Sequence, residues 1–155
     1  MTGYAARRTG NRLHLQHGPI DLIIGADGTR DACFAAAEKR FATILQELVQ
    51  ELPALRRAAR PSDQVPIGET ARLMQLACLP HAATTYVTPM AAVAGAVADT
   101  VLAAMKVACP RRAYVNNGGD IALLLCDDTP FSLAMADHQN HDLGRITLTR
   151  HDNVG

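Results

Sequence analysis

Residues Thr88 to Leu125 read TPMAAVAGAVADTVLAAMKVACPRRAYVNNGGDIALLL, and how this run folds decides how the rest of the chain is arranged. It predicts a long helix of small residues, then a strand, an Asn/Gly turn and a second strand. Thr88 suits the N-cap and Pro89 the first helical position, so the start of the helix is well marked. Met90, Val93, Val97, Val101 and Met105 follow at helical spacing and form the expected core face. Ala92, Gly95, Asp99 and Ala103 form another stripe, which carries no large side chain. A backbone or a flat ligand can approach such a surface closely. Glycine in a helix interior costs roughly 1 kcal/mol against alanine, so Gly95 calls for a compensating role.

Asp99 is the only charge between Thr88 and Met105. A carboxylate in that setting needs a partner, a metal, water or a shifted pKa. The pattern admits two readings of it: a satisfied carboxylate in a tightly packed helix, or a group that faces a ligand. The helix start is a second candidate feature. The free amides of Met90, Ala91 and Ala92 would present the positive end of the helix dipole, which suits phosphate, as any helix start does. The third is the turn Asn116-Asn117-Gly118-Gly119-Asp120 between apolar runs. It reads as a hairpin turn, because Asn and Gly tolerate positive φ. The same turn exposes backbone amides and lets a ligand come near the chain.

Outward from this run, Arg12 to Gln16 and Ile20 to Gly25 predict a hairpin closed by His17-Gly18-Pro19. Leu13 and Leu15 alternate with His14 and Gln16, so one face is wet. His14 and His17 do not obviously converge on a metal, and Asp21 reads as solvent-facing. Asp31 to about Leu52 predicts an amphipathic helix, stopped or kinked at Pro53. Leu55 to Pro66 is a polar connection with proline, suited to a flexible loop. Its Arg56, Arg57 and Arg60 read as a solvated basic face more readily than as phosphate ligands. Ile67 to Leu79 predicts a second helix, ended by Pro80. Phe131 to Ala136 and Arg145 to Thr149 predict two further strands. His138, His141 and Asp142 between them are close enough in sequence to share a metal, but that segment reads as a polar hairpin loop.

The chain has 155 residues, enough for one domain with a core. Fifteen basic residues balance fifteen acidic ones, so no net field points to nucleic acid or to a membrane surface. Met90 to Met105 is the closest approach to a transmembrane run; it contains Asp99 and reads as too short. Four spaced cysteines without a Cys-x-x-Cys suit reduced thiols, and the start lacks an apolar signal core, so the expected location is cytoplasmic. Strands, then helices, then strands predict an α+β fold: an antiparallel sheet with two to three helices packed on one face.

Four stretches, HLQHGPIDLII, ELPALRR, YVTPMAAVAGAVAD and YVNNGGDIALLL, resemble the uncharacterised ApbE-like family. That family is related to the ApbE superfamily of FAD:protein FMN transferases. The resemblance spans roughly Arg12 to Gly155, with residues 1–11 expected to be a disordered lead. It implies a T-fold-like ββααββ unit, with the C-terminal part of the family fold missing from this chain. It also implies FAD and Mg²⁺ as cofactors. Asp99 and Asp120 would be catalytic, with the flavin nucleotide held by Thr88, Met90, Ala91, Ala92, Gly95, Asn116, Asn117, Gly118 and Gly119. No metal ligands are assigned. Ala94 stands where the transferases carry a lysine. Two functions follow as expectations: Mg²⁺-dependent FMN transfer or cleavage of the FAD pyrophosphate, or a flavin- or nucleotide-binding module without chemistry. The expected partners are a small molecule and, through an open sheet edge, a second copy of the chain.

Overall fold

The computed structural model describes residues 3–139 and 141–152. Among the described residues, seven strands and three α-helices make an α+β fold. The strands β1 (Tyr4–Arg8), β2 (Arg12–His17) and β3 (Ile20–Asp27) form a meander. The helices α1 (Arg30–Leu55), α2 (Glu69–Cys78) and α3 (Val93–Lys106) follow it. The chain then forms β4 (Arg112–Asn117) and β5 (Asp120–Leu125), and finally the hairpin β6 (Phe131–Ala136) and β7 (Asp142–Leu148). β1 to β5 make one antiparallel sheet in that order, and β6–β7 is a separate two-stranded sheet.

The long crossover from β3 to β4 carries all three helices, yet the two strands are neighbours. The helices therefore stack on one face. α1 and α3 lie on the sheet, and α2 packs on both of them. Leu13, Leu15, Leu22, Ile24 and Val115 point from the sheet into the core, where they meet Phe34 and Ile44 of α1 and Val97, Val101 and Met105 of α3. The alternation in β2 and the helical period in α3 each place the apolar set on the covered side.

Four elements differ from the sequence reading. Residues 4–8 form the edge strand β1, paired with β2 from Tyr4↔Gln16 to Arg8↔Arg12, where a disordered lead was expected. A three-residue turn with positive φ at Gly10 and Asn11 makes that pairing possible. α1 runs through Pro53 to Leu55, because a proline in the last turn removes only one ladder bond. α2 starts at Glu69, not Ile67. Glu51 of α1 accepts hydrogen bonds from the amides of Ile67 (2.9 Å) and Gly68 (2.7 Å), which holds them outside the helix. The stretch Pro89–Lys106 is 18 residues, long and apolar enough by length and composition to cross a membrane; in this fold it is the central core helix with its lead-in turn.

The uncovered sheet face has its own order. Tyr114 lies flat against Gly25 and meets Phe131 with ring centroids 5.6 Å apart, which pins the start of β6 to the sheet. Asp27 pairs with Arg112, whose Nε donates at 2.9 Å, while His14 and Asp21 pair at 2.8 Å. An alanine Cβ at position 25 would sit 2.3 Å from the Tyr114 ring. Gly25→Ala is therefore expected to cost about 1–3 kcal/mol in urea unfolding. Combining it with Tyr114→Ala should reveal a coupling of about 0.5–3 kcal/mol; strictly additive effects would mean that the ring does not need the glycine.

Candidate functional site

The site forms where the β4–β5 hairpin meets α3. The hairpin loop is Gly118–Gly119, both with positive φ (64° and 114°), and Asn117 pairs with Asp120 as the last rung. The glycines thus hold the two positions where a Cβ would strain the turn. Asn116 Oδ1 accepts from the Gly119 amide at 2.9 Å, and Asn117 Nδ2 donates to the Ala94 carbonyl at 3.1 Å. The first bond shapes the turn and the second fastens it to the first turn of α3. Asp120 then lies over Gly95: a Cβ built on that glycine would be 4.0 Å from Asp120 Oδ2, an ordinary contact. Gly95 is therefore not required by packing within the chain.

The helix start behaves differently from expectation. Pro89–Ala92 is a 3-10 turn, and the Thr88 side chain caps nothing. The Ala91 amide donates to the Thr88 carbonyl at 2.9 Å, and the Cys78 thiol donates to the same carbonyl at 3.3 Å. The Ala92 amide reaches the Cys78 sulfur; burial pushes that thiol up, and the amide only partly offsets it. α2 packs across this turn. Of the three amides proposed to hold a pyrophosphate, those of Ala91 and Ala92 are thus engaged within the chain.

What remains opens into a cleft of about 590 Å³ between α3, β5 and the β6–β7 hairpin. Asp99 and Gly119 line one end. Ile121 to Leu125 form a mostly aliphatic wall, faced by Leu133 and Leu148 of the hairpin, and Thr149, Arg150 and Asp152 close the far end. β5 is the last strand of its sheet, so its outer backbone edge borders this space.

The charges in the cleft differ in how far they are already committed. Arg150 Nε lies 2.7 Å from Asp128. Asp152 accepts from the Thr149 amide (2.6 Å) and hydroxyl (2.8 Å), and those bonds, the amide first, hold its carboxyl below the usual range. Asp99 makes no hydrogen bond or ion pair with any described residue. Partial burial pushes its carboxyl up, against the longer-range pull of Lys106. The Asp120 carboxylate likewise has no such partner among the described residues.

A metal does not fit this set. Among the described residues no three His, Cys, Asp or Glu side chains come together to hold an ion. His141 and Asp137 bond each other at 2.9 Å within the hairpin turn, away from Asp99. A second cavity of about 300 Å³, between Tyr114, Phe131, Asp27 and Arg112, has its charges already paired and serves as a seam.

Of the residues expected to form the site, the fold brings together Gly95, Asp99, Asn117, Gly119 and Asp120, with Asn116 and Gly118 shaping the turn. Leu133, Leu148, Thr149, Arg150 and Asp152 were not foreseen. The alternation in ITLT marks an apolar face on β7, but nothing local states that it faces β5. Among comparisons with known proteins, a family model described as "AbpE bacteria" matches residues 4–155. No curated protein matches the chain.

Two expectations follow. Gly95→Ala should stabilise the fold by about 0.5–1 kcal/mol in denaturant unfolding, and a loss of stability would show that the glycine is packed after all. For Asp99, the folded carboxyl titrates above its unfolded value, so ionisation opposes folding as pH rises through that window. Asp99→Asn should therefore melt no lower than the parent at neutral pH. The gap should close as pH falls through about 4, read by thermal scans across pH.

Proposed function

This chain belongs to the AbpE bacteria family, and on that premise we propose that its cleft binds a flavin nucleotide, FAD or a close relative, as a small-molecule module without transfer chemistry. The observation that carries this reading is the cleft itself. It joins an unpartnered Asp99, a two-glycine turn and a broad aliphatic wall in about 590 Å³. Ligand pockets are typically of that size, mostly apolar, with a few placed polar groups. A flat ring suits the aliphatic wall that β5 presents along the cleft. The resemblance of YVNNGGDIALLL and AAVAGAVADTV to ApbE motifs supports the same ligand.

Binding is favoured over chemistry for a residue-level reason. Metal-assisted phosphoryl transfer needs oxygen ligands around the ion and a cation for the leaving phosphate. Ala94 stands where the transferases that the sequence resembles carry a lysine, and the described residues do not gather a metal set; no step is therefore assigned to Mg²⁺. A second reading, Mg²⁺-dependent FMN transfer or FAD cleavage, has one observation in its favour. Asp99 and Asp120, both without partners among the described residues, flank Gly95.

A cytoplasmic setting accords with four free cysteines. Self-association accords with the uncovered edge of β5 and with exposed Leu143 and Ile146 on the hairpin.

Titration with FAD, FMN and AMP tests the proposal. FAD at a hundredfold its Kd should stabilise the protein by about 2.7 kcal/mol, a rise of roughly 5–10 °C in melting temperature. If no flavin at millimolar concentration shifts the melting curve or quenches its fluorescence, the flavin reading is wrong. Mg²⁺-dependent release of AMP from FAD would instead establish the enzyme.

A further inference from the structure

We propose that the surface made by residues 56–67 and 82–88 docks on an anionic phospholipid bilayer. Val65, Ile67 and Tyr86 enter the headgroup region, and Arg56, Arg57 and Arg60 meet the lipid phosphates. None of these residues lines the cleft beside β5, so this surface is independent of the flavin reading.

The loop between α1 and α2 is pinned from within. Glu51 accepts from the amides of Ile67 (2.9 Å) and Gly68 (2.7 Å), and Asp63 accepts from the Arg60 amide (2.8 Å). Gln75 of α2 donates to the Gln64 carbonyl at 3.2 Å, and Arg72 donates to the Ile67 carbonyl at 2.9 Å. The Ala59 amide donates to the Val87 carbonyl at 2.9 Å, which ties this loop to residues 82–88. With the backbone held in this way, three large apolar side chains stand in water: Val65 is 66% exposed, Tyr86 80% and Ile67 89%. Arg57 lines one hollow with Val65 and Ile67, and Arg60 lines another with Tyr86, so cations and apolar tips share one surface.

The charges here are sorted by direction. Glu51 and Asp63 are half-buried and spent on backbone amides, and Glu69 lies 3.7 Å from Arg40. Arg56, Arg57 and Arg60 are exposed and form no ion pair with any described residue. The whole chain carries no net charge at pH 7, so the attraction is local and reaches about 10 Å at 0.1 M salt. Side chains as exposed as Ile67 and Tyr86 pack little against their own protein, whereas a protein–protein hot spot is a well-packed, desolvated centre. A bilayer takes each apolar tip separately, suits a tyrosine at headgroup level and attracts arginine to its anionic lipids.

The chain has no tryptophan, so Ile67→Trp places a single fluorescent reporter at the tip of the loop. Val107→Trp serves as the control, since Val107 is 84% exposed at the far end of α3, roughly 20 Å along that helix. Vesicles of phosphatidylcholine with phosphatidylglycerol should blue-shift the emission of Ile67→Trp, and pure phosphatidylcholine or 1 M salt should abolish the shift. Val107→Trp should not respond. Replacing Arg56, Arg57 and Arg60 together by glutamine should weaken co-sedimentation with the mixed vesicles at least tenfold, because each arginine near an anionic surface is worth about fivefold. The melting temperature of that variant should match the parent's, which separates docking from folding. No blue shift on the mixed vesicles, an equal shift on phosphatidylcholine alone, or an equal shift in Val107→Trp overturns the bilayer surface. Binding of the parent chain to soluble polyglutamate as tightly as to the vesicles overturns it as well, in favour of an acidic protein partner.

Discussion

α3 touches α1, α2, β4 and β5 at once, and it can do so because it is thin. Alanine, valine, glycine and threonine fill most of its surface, so neighbouring backbones approach on several sides without large side chains between them. Val97, Ala98 and Val101 are fully buried, and Thr100 bonds both Thr70 of α2 (3.0 Å) and its own helix at the Ala96 carbonyl (2.8 Å). Close packing of this kind leaves one direction free, the stripe of Gly95, Asp99 and Ala103. The cleft is what remains when a slender helix is packed tightly on its other sides.

The hairpin β4–β5 converts that free stripe into a site. Asn117 ties its loop to the Ala94 carbonyl, and β5, lying at the sheet's end, is not covered by a sixth strand. Aliphatic side chains on such an edge would ordinarily be a pairing hazard. Here Leu133 and Leu148 of the β6–β7 hairpin face the same space and narrow the exposure to a cleft. Tyr114, Phe131 and Gly25 anchor that hairpin on the opposite side of the sheet.

Electrostatics sorts the polar groups by commitment. Asp27, Asp128, Asp137 and Asp152 each spend their oxygens on a cation or on backbone amides of a turn. Asp99 and Asp120 do not. Both lie exposed on the surface beside Gly95, and at Asp99 partial desolvation raises the carboxyl against the pull of Lys106. At the helix start, by contrast, the amides of Ala91 and Ala92 are already engaged by the Thr88 carbonyl and the Cys78 sulfur.

The sequence by itself determined the elements that rest on local physics. The 3.6 period of α1 and α3, the alternation in β2 and the two-glycine turn are properties of neighbouring residues, and they were legible along with the α+β class. Only the tertiary structure decided three things. It seated α2 across the start of α3, formed an edge strand from residues 4–8, and brought Leu148, Thr149 and Arg150 opposite β5. The first and the last join segments separated in the chain, the edge strand depends on the sheet that β2 already belongs to, and the burial that drives such contacts is nondirectional and summed over the whole core. No single stretch of sequence records which partner a face will find.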